Sequence, residues 1–163
     1  MSNETTPYAL ELREVSKQFG AVKANQAVSL QVVAGSVHGI IGENGAGKST
    51  LMSIIYGLYQ PDSGEIRINA QPHTLRNPQQ AIALGIGMVH QHFMLVEPFT
   101  ALENIMLGAE GGAILTRTKQ QARARLEHII AQHGLAVPLD TPVHELSVGV
   151  QQRIEILKAL YRQ

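Results

Sequence analysis

A chain of 163 residues, 44% of them hydrophobic, can bury one or two small cores, so one compact body with subdivisions is expected. Thirteen basic residues balance thirteen acidic ones, which argues against a nucleic-acid partner, because such surfaces carry an excess of Lys and Arg. The absence of cysteine excludes disulfides, thiolate metal sites and a cysteine nucleophile. No basic segment followed by an apolar run opens the chain, and no stretch approaches the ~18 apolar residues of a membrane span. The expectation is a soluble chain that is not exported and reaches a membrane only by docking onto another protein.

From Tyr8 to Val15 and from Ala27 to Val33, apolar and polar residues alternate with the period of half-buried strands, which predicts a small antiparallel sheet. Val37-His38-Gly39-Ile40-Ile41 is a short apolar run, read as a buried strand. A Gly-rich loop follows it, and then the helical composition of residues 49–55. Gln60-Pro61-Asp62-Ser63-Gly64 is a turn by composition, and residues 65–69 alternate again. Asn77-Pro78 has the form of an N-cap with proline at the first helical position, opening a helix that stops before Gly85; residues 86–89 are another short buried strand. After Gln91 the composition becomes helical. Thr100-Ala-Leu-Glu103 is a capping-box pattern opening a helix that Gly108 and the Gly111-Gly112 pair close. Residues 117–133 form a helix ended by Gly134, and residues 147–162 form the last, with Ile154, Leu157 and Tyr161 on one face.

The sharpest chemical signal is Gly42-Glu43-Asn44-Gly45-Ala46-Gly47-Lys48-Ser49, which satisfies G-x-x-x-x-G-K-[ST] between a predicted strand and a predicted helix. Gly42, Gly45 and Gly47 allow the backbone to wrap so that successive N–H groups face phosphate oxygens, and the helix dipole adds positive potential. Lys48 brings a full charge to the β- and γ-phosphates, Ser49 is placed to ligate Mg²⁺, and Thr50 can bond a phosphate nearer the ribose. A bare glycine turn with a solvated lysine is the competing reading, and the strand–loop–helix context weighs heavily against it. ATP with Mg²⁺ is the expected ligand. The loop by itself does not separate a transporter ATPase from a nucleotide kinase, a GTPase or a helicase.

Three further features resemble the ATP-binding cassette transporter ATPases. Phe19, in VSKQFG, matches the aromatic position that stacks on adenine in that family; taken alone it would be a core residue. Gln91, in GMVHQHFMLV, resembles the Q-loop glutamine that ligates Mg²⁺ and marks the hinge to a helical subdomain. LSVGVQQR, residues 146–153, resembles the signature LSGGQ-x-x-R, with Val148 and Val150 departing from the usual glycine and glutamine. The resemblance implies that Ser147 and Gly149 meet the γ-phosphate of an opposing cassette in a head-to-tail dimer. A plain helix N-cap is the alternative for Ser147.

That resemblance implies an α/β P-loop NTPase (RecA-like) core with an antiparallel β subdomain and an inserted helical subdomain, divided as residues 1–92 and 93–163. It implies Lys48 and Gln91 as catalytic residues, and Ser49 and Gln91 at the metal. Asn44 joins the loop residues that hold the nucleotide. It further implies the partners, namely a second cassette, membrane permease subunits and, indirectly, a substrate-binding protein. The place is cytoplasmic, on the inner face of the cell membrane. VHQHFMLV, TALENIMLG and LSVGVQQRIEILKALYR look like the bacterial importers of nucleosides and simple sugars. A soluble cassette without a transport role, or an inactive remnant, is the alternative. No apolar run ending in an acidic pair follows Arg153, so the expectation is a fragment, truncated before the family's Asp-Glu strand, that binds ATP and hydrolyses it negligibly. Of seven histidines, His90 and His92 flank Gln91, but no third ligand is spaced to complete a metal site.

Overall fold

The computed structural model describes residues 8–90, 93–107 and 115–162, with 115–118 described by backbone alone. The chain divides into two compact units, residues 1–86 and 87–163.

In the first unit, β1 (Tyr8–Phe19) and β2 (Val22–Val33) form a long antiparallel hairpin. Across the other edge of β1 lies β3 (Ser63–Ile68), followed by the short β4 (Gln71–His73), giving the order β2-β1-β3-β4. The alternation from Tyr8 and up to Val33 therefore does mark strands, and both run further than the alternation itself. Leu12, Val15, Ile66 and Ile68 are buried on the sheet, and Leu51, Ile54 and Ile55 are buried on helix α1 (Lys48–Ile55), the helix expected after the Gly-rich loop. α2 (Pro78–Ala83) starts as expected: the Asn77 side chain accepts from Gln80 N–H at 3.0 Å, and proline takes the first position, where its missing N–H costs nothing.

One irregularity in the hairpin bears on the site. Between Val15 and Lys17 β1 advances two residues, while β2 runs back three, from Val28 to Asn25. This is a bulge: Ala27 takes φ +44° and its N–H donates to Ser16 Oγ at 2.9 Å. Val28, Leu30 and Val32 are the half-buried positions of β2; past the bulge the parity flips and Asn25 is the buried one. An inserted residue re-aims the side chains beyond it, because side chains alternate with period two.

The strands expected at 37–41 and 86–89 do not form; residues 36–43 and 86–90 carry no ladder, and Val37 and Ile41 are fully exposed. A strand exists only through pairing. A short apolar run shows that a segment is suited to burial, but among the described residues no neighbouring strand lies alongside either one to supply the hydrogen bonds.

In the second unit, α3 (Ala101–Met106) carries the full capping box: Thr100 accepts from Glu103 N–H while Glu103 accepts from Thr100 N–H. α4 (Leu115–His133) ends at Gly134, whose φ of +66° suits a residue without Cβ. A 3-10 turn at Val143–Glu145 leads into α5 (Val148–Tyr161). Leu102, Ile105, Leu126, Val143, Ile154 and Leu157 are fully or nearly fully buried in one shared core. The face expected on the last helix is the buried one, with Tyr161 packed at its margin.

Candidate functional site: a phosphate loop and a signature turn

The phosphate loop lies where β2 and the start of α1 approach. Gly45 and Gly47 take φ of +86° and +82°, the left-handed region that glycine enters without strain. Gly47 is the N-cap of α1, no side chain caps this end, and no acidic residue stands in the first turn. The first-turn N–H groups of a helix have no intrahelical partner, so this end presents donors and positive dipole potential with no carboxylate to compete. Lys48 Nζ donates to the Gly42 and Glu43 carbonyls, both at 2.7 Å. The ammonium is thereby folded over the loop instead of extended into solvent. Ala46 N–H donates to Glu43 O at 3.2 Å and closes the turn. Ser49 is exposed on the first helical turn, with Lys48 and Thr50 half-buried beside it. The donor set is suited to a polyphosphate, and the first turn of α1 adds no carboxylate to it.

Phe19 ends β1 with 41% of its surface exposed, so it is not a core residue. The Tyr59 ring meets it edge to face, 5.2 Å between centroids at 71°, and Lys17 Nζ lies 5.5 Å from its centroid. Lys17 is held by Asp62 at 2.7 Å, and Asp62 also accepts from Gln18 N–H at 2.7 Å. The Lys17 bond first, and then the Gln18 N–H, hold the Asp62 carboxyl below its ordinary range. The result is a fixed, partly exposed ring with one face edge supported.

Gln91 and His92 lie outside the described residues. The segment that follows is anchored: Met94 N–H donates to Glu155 at 2.9 Å, and Lys158 Nζ donates to Met94 O at 2.9 Å and to Glu155 at 3.2 Å. Asn104, fully buried, accepts from Val96 N–H and donates to the carbonyls of Val96, Phe99 and Thr100.

In the second unit, Ser147 is the N-cap of α5 in an extended conformation, but its hydroxyl makes no capping bond. Its carbonyl accepts from Val150 and Gln151 N–H. Ser147, Val148 and Gly149 are exposed, Val148 at 69%, and a Cβ at Gly149 would meet nothing within 4 Å. Val150 packs against the shared core, which accounts for an apolar residue there. Gln151 donates to the carbonyls of Val143 and Leu146 at 3.1 and 3.0 Å and so pins the turn that presents Ser147.

A family profile described as ABC transporter matches residues 25–163. The chain belongs to the ABC transporter family. It is 46% identical over 155 residues to the guanosine import ATP-binding protein NupO of Bacillus subtilis (strain 168), covering 95% of this chain and 30% of that protein. It is 44% identical over 162 residues to the nucleoside import ATP-binding protein NupA of Lactococcus lactis subsp. cremoris (strain MG1363), covering 99% of this chain and 31% of that protein. The chain thus spans about a third of these relatives' length. A solved structure of an ATP-binding cassette of an ABC transporter in its ADP conformation superimposes with a TM-score of 0.82 at 28% identity, over 96% of this chain and 66% of that one. The ABC ATPase fold, a P-loop NTPase fold, follows from these matches.

Within the ABC transporter cassette, sequence reasoning missed several residues that shape the site. Tyr59 stands just before the turn at residues 60–64, and no sequence spacing pairs its ring with Phe19, 40 residues earlier. Gln151 lies inside the signature segment, and only its two carbonyl bonds reveal a structural task. Glu155 and Lys158 form a buried pair at i, i+3 on α5, a spacing that in sequence is the same for an exposed pair. Phe19 precedes the residues matched to the family, so its role rests on its exposure and ring neighbour.

Proposed function

We propose that this chain holds ATP with Mg²⁺ and serves as part of the ATP-binding subunit of an importer for a nucleoside or simple sugar. The observation that carries this reading is the uncapped, acid-free N-terminus of α1, with Lys48 folded over its loop. Gly42, Asn44, Gly45 and Gly47 shape the cradle; Lys48 carries the charge; Thr50 bonds a phosphate nearer the ribose. Ser49 and Gln91 would hold Mg²⁺, and Phe19 would stack on adenine. ATP with its metal supplies the hydrolysable phosphoanhydride that the family couples to movement. Ser147 and Gly149 face the nucleotide of a second cassette, a reading supported by the free Ser147 hydroxyl at an exposed helix start. Membrane permease subunits, and indirectly a substrate-binding protein, complete the assembly on the cytoplasmic face of the membrane. Among the described residues no helix is long and apolar enough to cross a membrane.

Titration of the chain with Mg-ATP tests the binding. Lys48→Ala removes charge-assisted bonds of about 1.5–3 kcal/mol each, so affinity falls by about a hundredfold. Unchanged affinity in that variant would overturn the reading. For transport, ATP turnover by the assembled importer should rise with nucleoside- or ribose-loaded binding protein; a response confined to amino acids would reject the substrate class.

A further inference from the structure

Asn25 is 6% exposed at the point where β2 passes the phosphate loop. The bulge at Ala27 turns its side chain inward, and Asn25 Nδ2 donates to Gly47 O at 3.2 Å. Its Oδ1 is buried with no hydrogen-bond partner. The approach is close: a Cβ on Gly47 would lie 2.1 Å from Ala24 O and 2.9 Å from Asn25 Nδ2.

Gly47 O thus accepts two donors, Leu51 N–H along the helix at 2.9 Å and the Asn25 amide from the strand. A trans peptide is planar, with C=O and N–H pointing in opposite directions, and no cis peptide is present among the described residues. Anchoring the Gly47 carbonyl inward therefore directs the Lys48 N–H outward, into the space the loop encloses. A leucine has the same branched set of four side-chain heavy atoms as Asn25, though bulkier, and buries no unsatisfied acceptor. The half of the amide that makes a bond is the half on Gly47.

We propose that Asn25 is a positioning residue for the phosphate loop, holding the Gly47 carbonyl so that the Lys48 N–H faces the phosphates of a bound nucleotide. The inference rests on the ATP-binding reading of the loop. It goes beyond that reading in placing part of the phosphate specificity on β2, outside the loop motif. Asn25→Asp removes the donor and sets a carboxylate against the Gly47 carbonyl beside an anion site. Asn25→Leu removes the donor and the acceptor together and brings no charge.

The test measures affinities of the chain and both variants for Mg-ATP, inorganic tripolyphosphate and adenosine, with the thermal midpoint of each. Asn25→Leu should weaken ATP and tripolyphosphate together by about three- to tenfold, and Asn25→Asp by about tenfold more, with adenosine unchanged. In the unsubstituted chain, the Asn25 side-chain NH₂ resonances should shift with tripolyphosphate along the same isotherm as the Lys48 amide, a readout that does not depend on how the variants fold. Phosphate affinities within twofold in folded variants, a loss shared equally by adenosine, or NH₂ resonances that stay fixed would each overturn the proposal. An unsubstituted chain that binds neither ATP nor tripolyphosphate would overturn the loop reading and this inference together. A chain sensitive to Lys48→Ala but indifferent at Asn25 would overturn the inference alone.

Discussion

Lys17 lies by the Phe19 ring and at the same time donates to Asp62. The Asp62 carboxyl is depressed first by the Lys17 bond and then by the Gln18 N–H. A carboxyl whose folded value lies below its unfolded one stabilises the fold above the unfolded value, about 3.9 for Asp, and that contribution is lost as pH falls through the folded value. Thermal midpoints measured on descending from about pH 4 should therefore fall, and Asp62→Asn should flatten that part of the profile. Because the pair is on the surface, high salt should shrink the effect. Gly47 teaches a related lesson. The motif shows that glycine is wanted there, and its φ of +82° agrees, but the stronger constraint is the β2 backbone pressed against it.

At the scale of elements, the irregular segment of residues 94–100 is held by buried polar side chains of α3 and α5. Asn104 satisfies four backbone groups of residues 96–100 from one position on a six-residue helix. Asn104→Ala leaves the Val96 N–H without its acceptor and takes the second donor from the Val96, Phe99 and Thr100 carbonyls, which keep their backbone partners, and costs about 1–3 kcal/mol. Native-state hydrogen exchange should show the loss first at the Val96 amide, and a wild-type protection factor there would contradict it. Glu155 and Lys158 fasten Met94 from α5 in a similar manner. The capping box at Thr100 and the Asn77-Pro78 start were legible because both are contacts between residues three apart or fewer. The Glu155 and Lys158 bonds to Met94 span 61 and 64 residues, and those of Asn104 span 4 to 8, so none carries the sequence pattern of a cap.

At the scale of the whole chain, the residues divide between two units: residues 1–86 contain the loop of residues 42–50 and Phe19, and residues 87–163 contain Ser147 and its turn. The second is built on a core in which Leu126 of α4 is fully buried with Leu102, Ile105, Ile154 and Leu157. Leu126→Ala should cost about 2–5 kcal/mol through lost transfer energy and a residual cavity. Chemical denaturation followed by exchange protection in α3 and α5 measures it, and a loss below about 1 kcal/mol would mean that the site collapses to fill the void.

The residues from Gly42 to Thr50 marked the glycine turn and the start of α1 from the sequence, since backbone freedom at Gly45 and Gly47 and the helix that follows are local properties. Helix starts and stops at Asn77, Thr100 and Gly134 were equally local. Whether an apolar run becomes a strand was not local. Residues 37–41 and 86–89 have strand composition and no ladder, because pairing depends on a neighbour that composition cannot name. The exposure of Phe19, the inward turn of Asn25 and the free hydroxyl of Ser147 were likewise decided by tertiary structure. The ring emerges because β1 runs on past its alternating stretch, Asn25 turns in because a bulge flips the parity of β2, and Ser147 stays open because Gln151 holds its turn from behind.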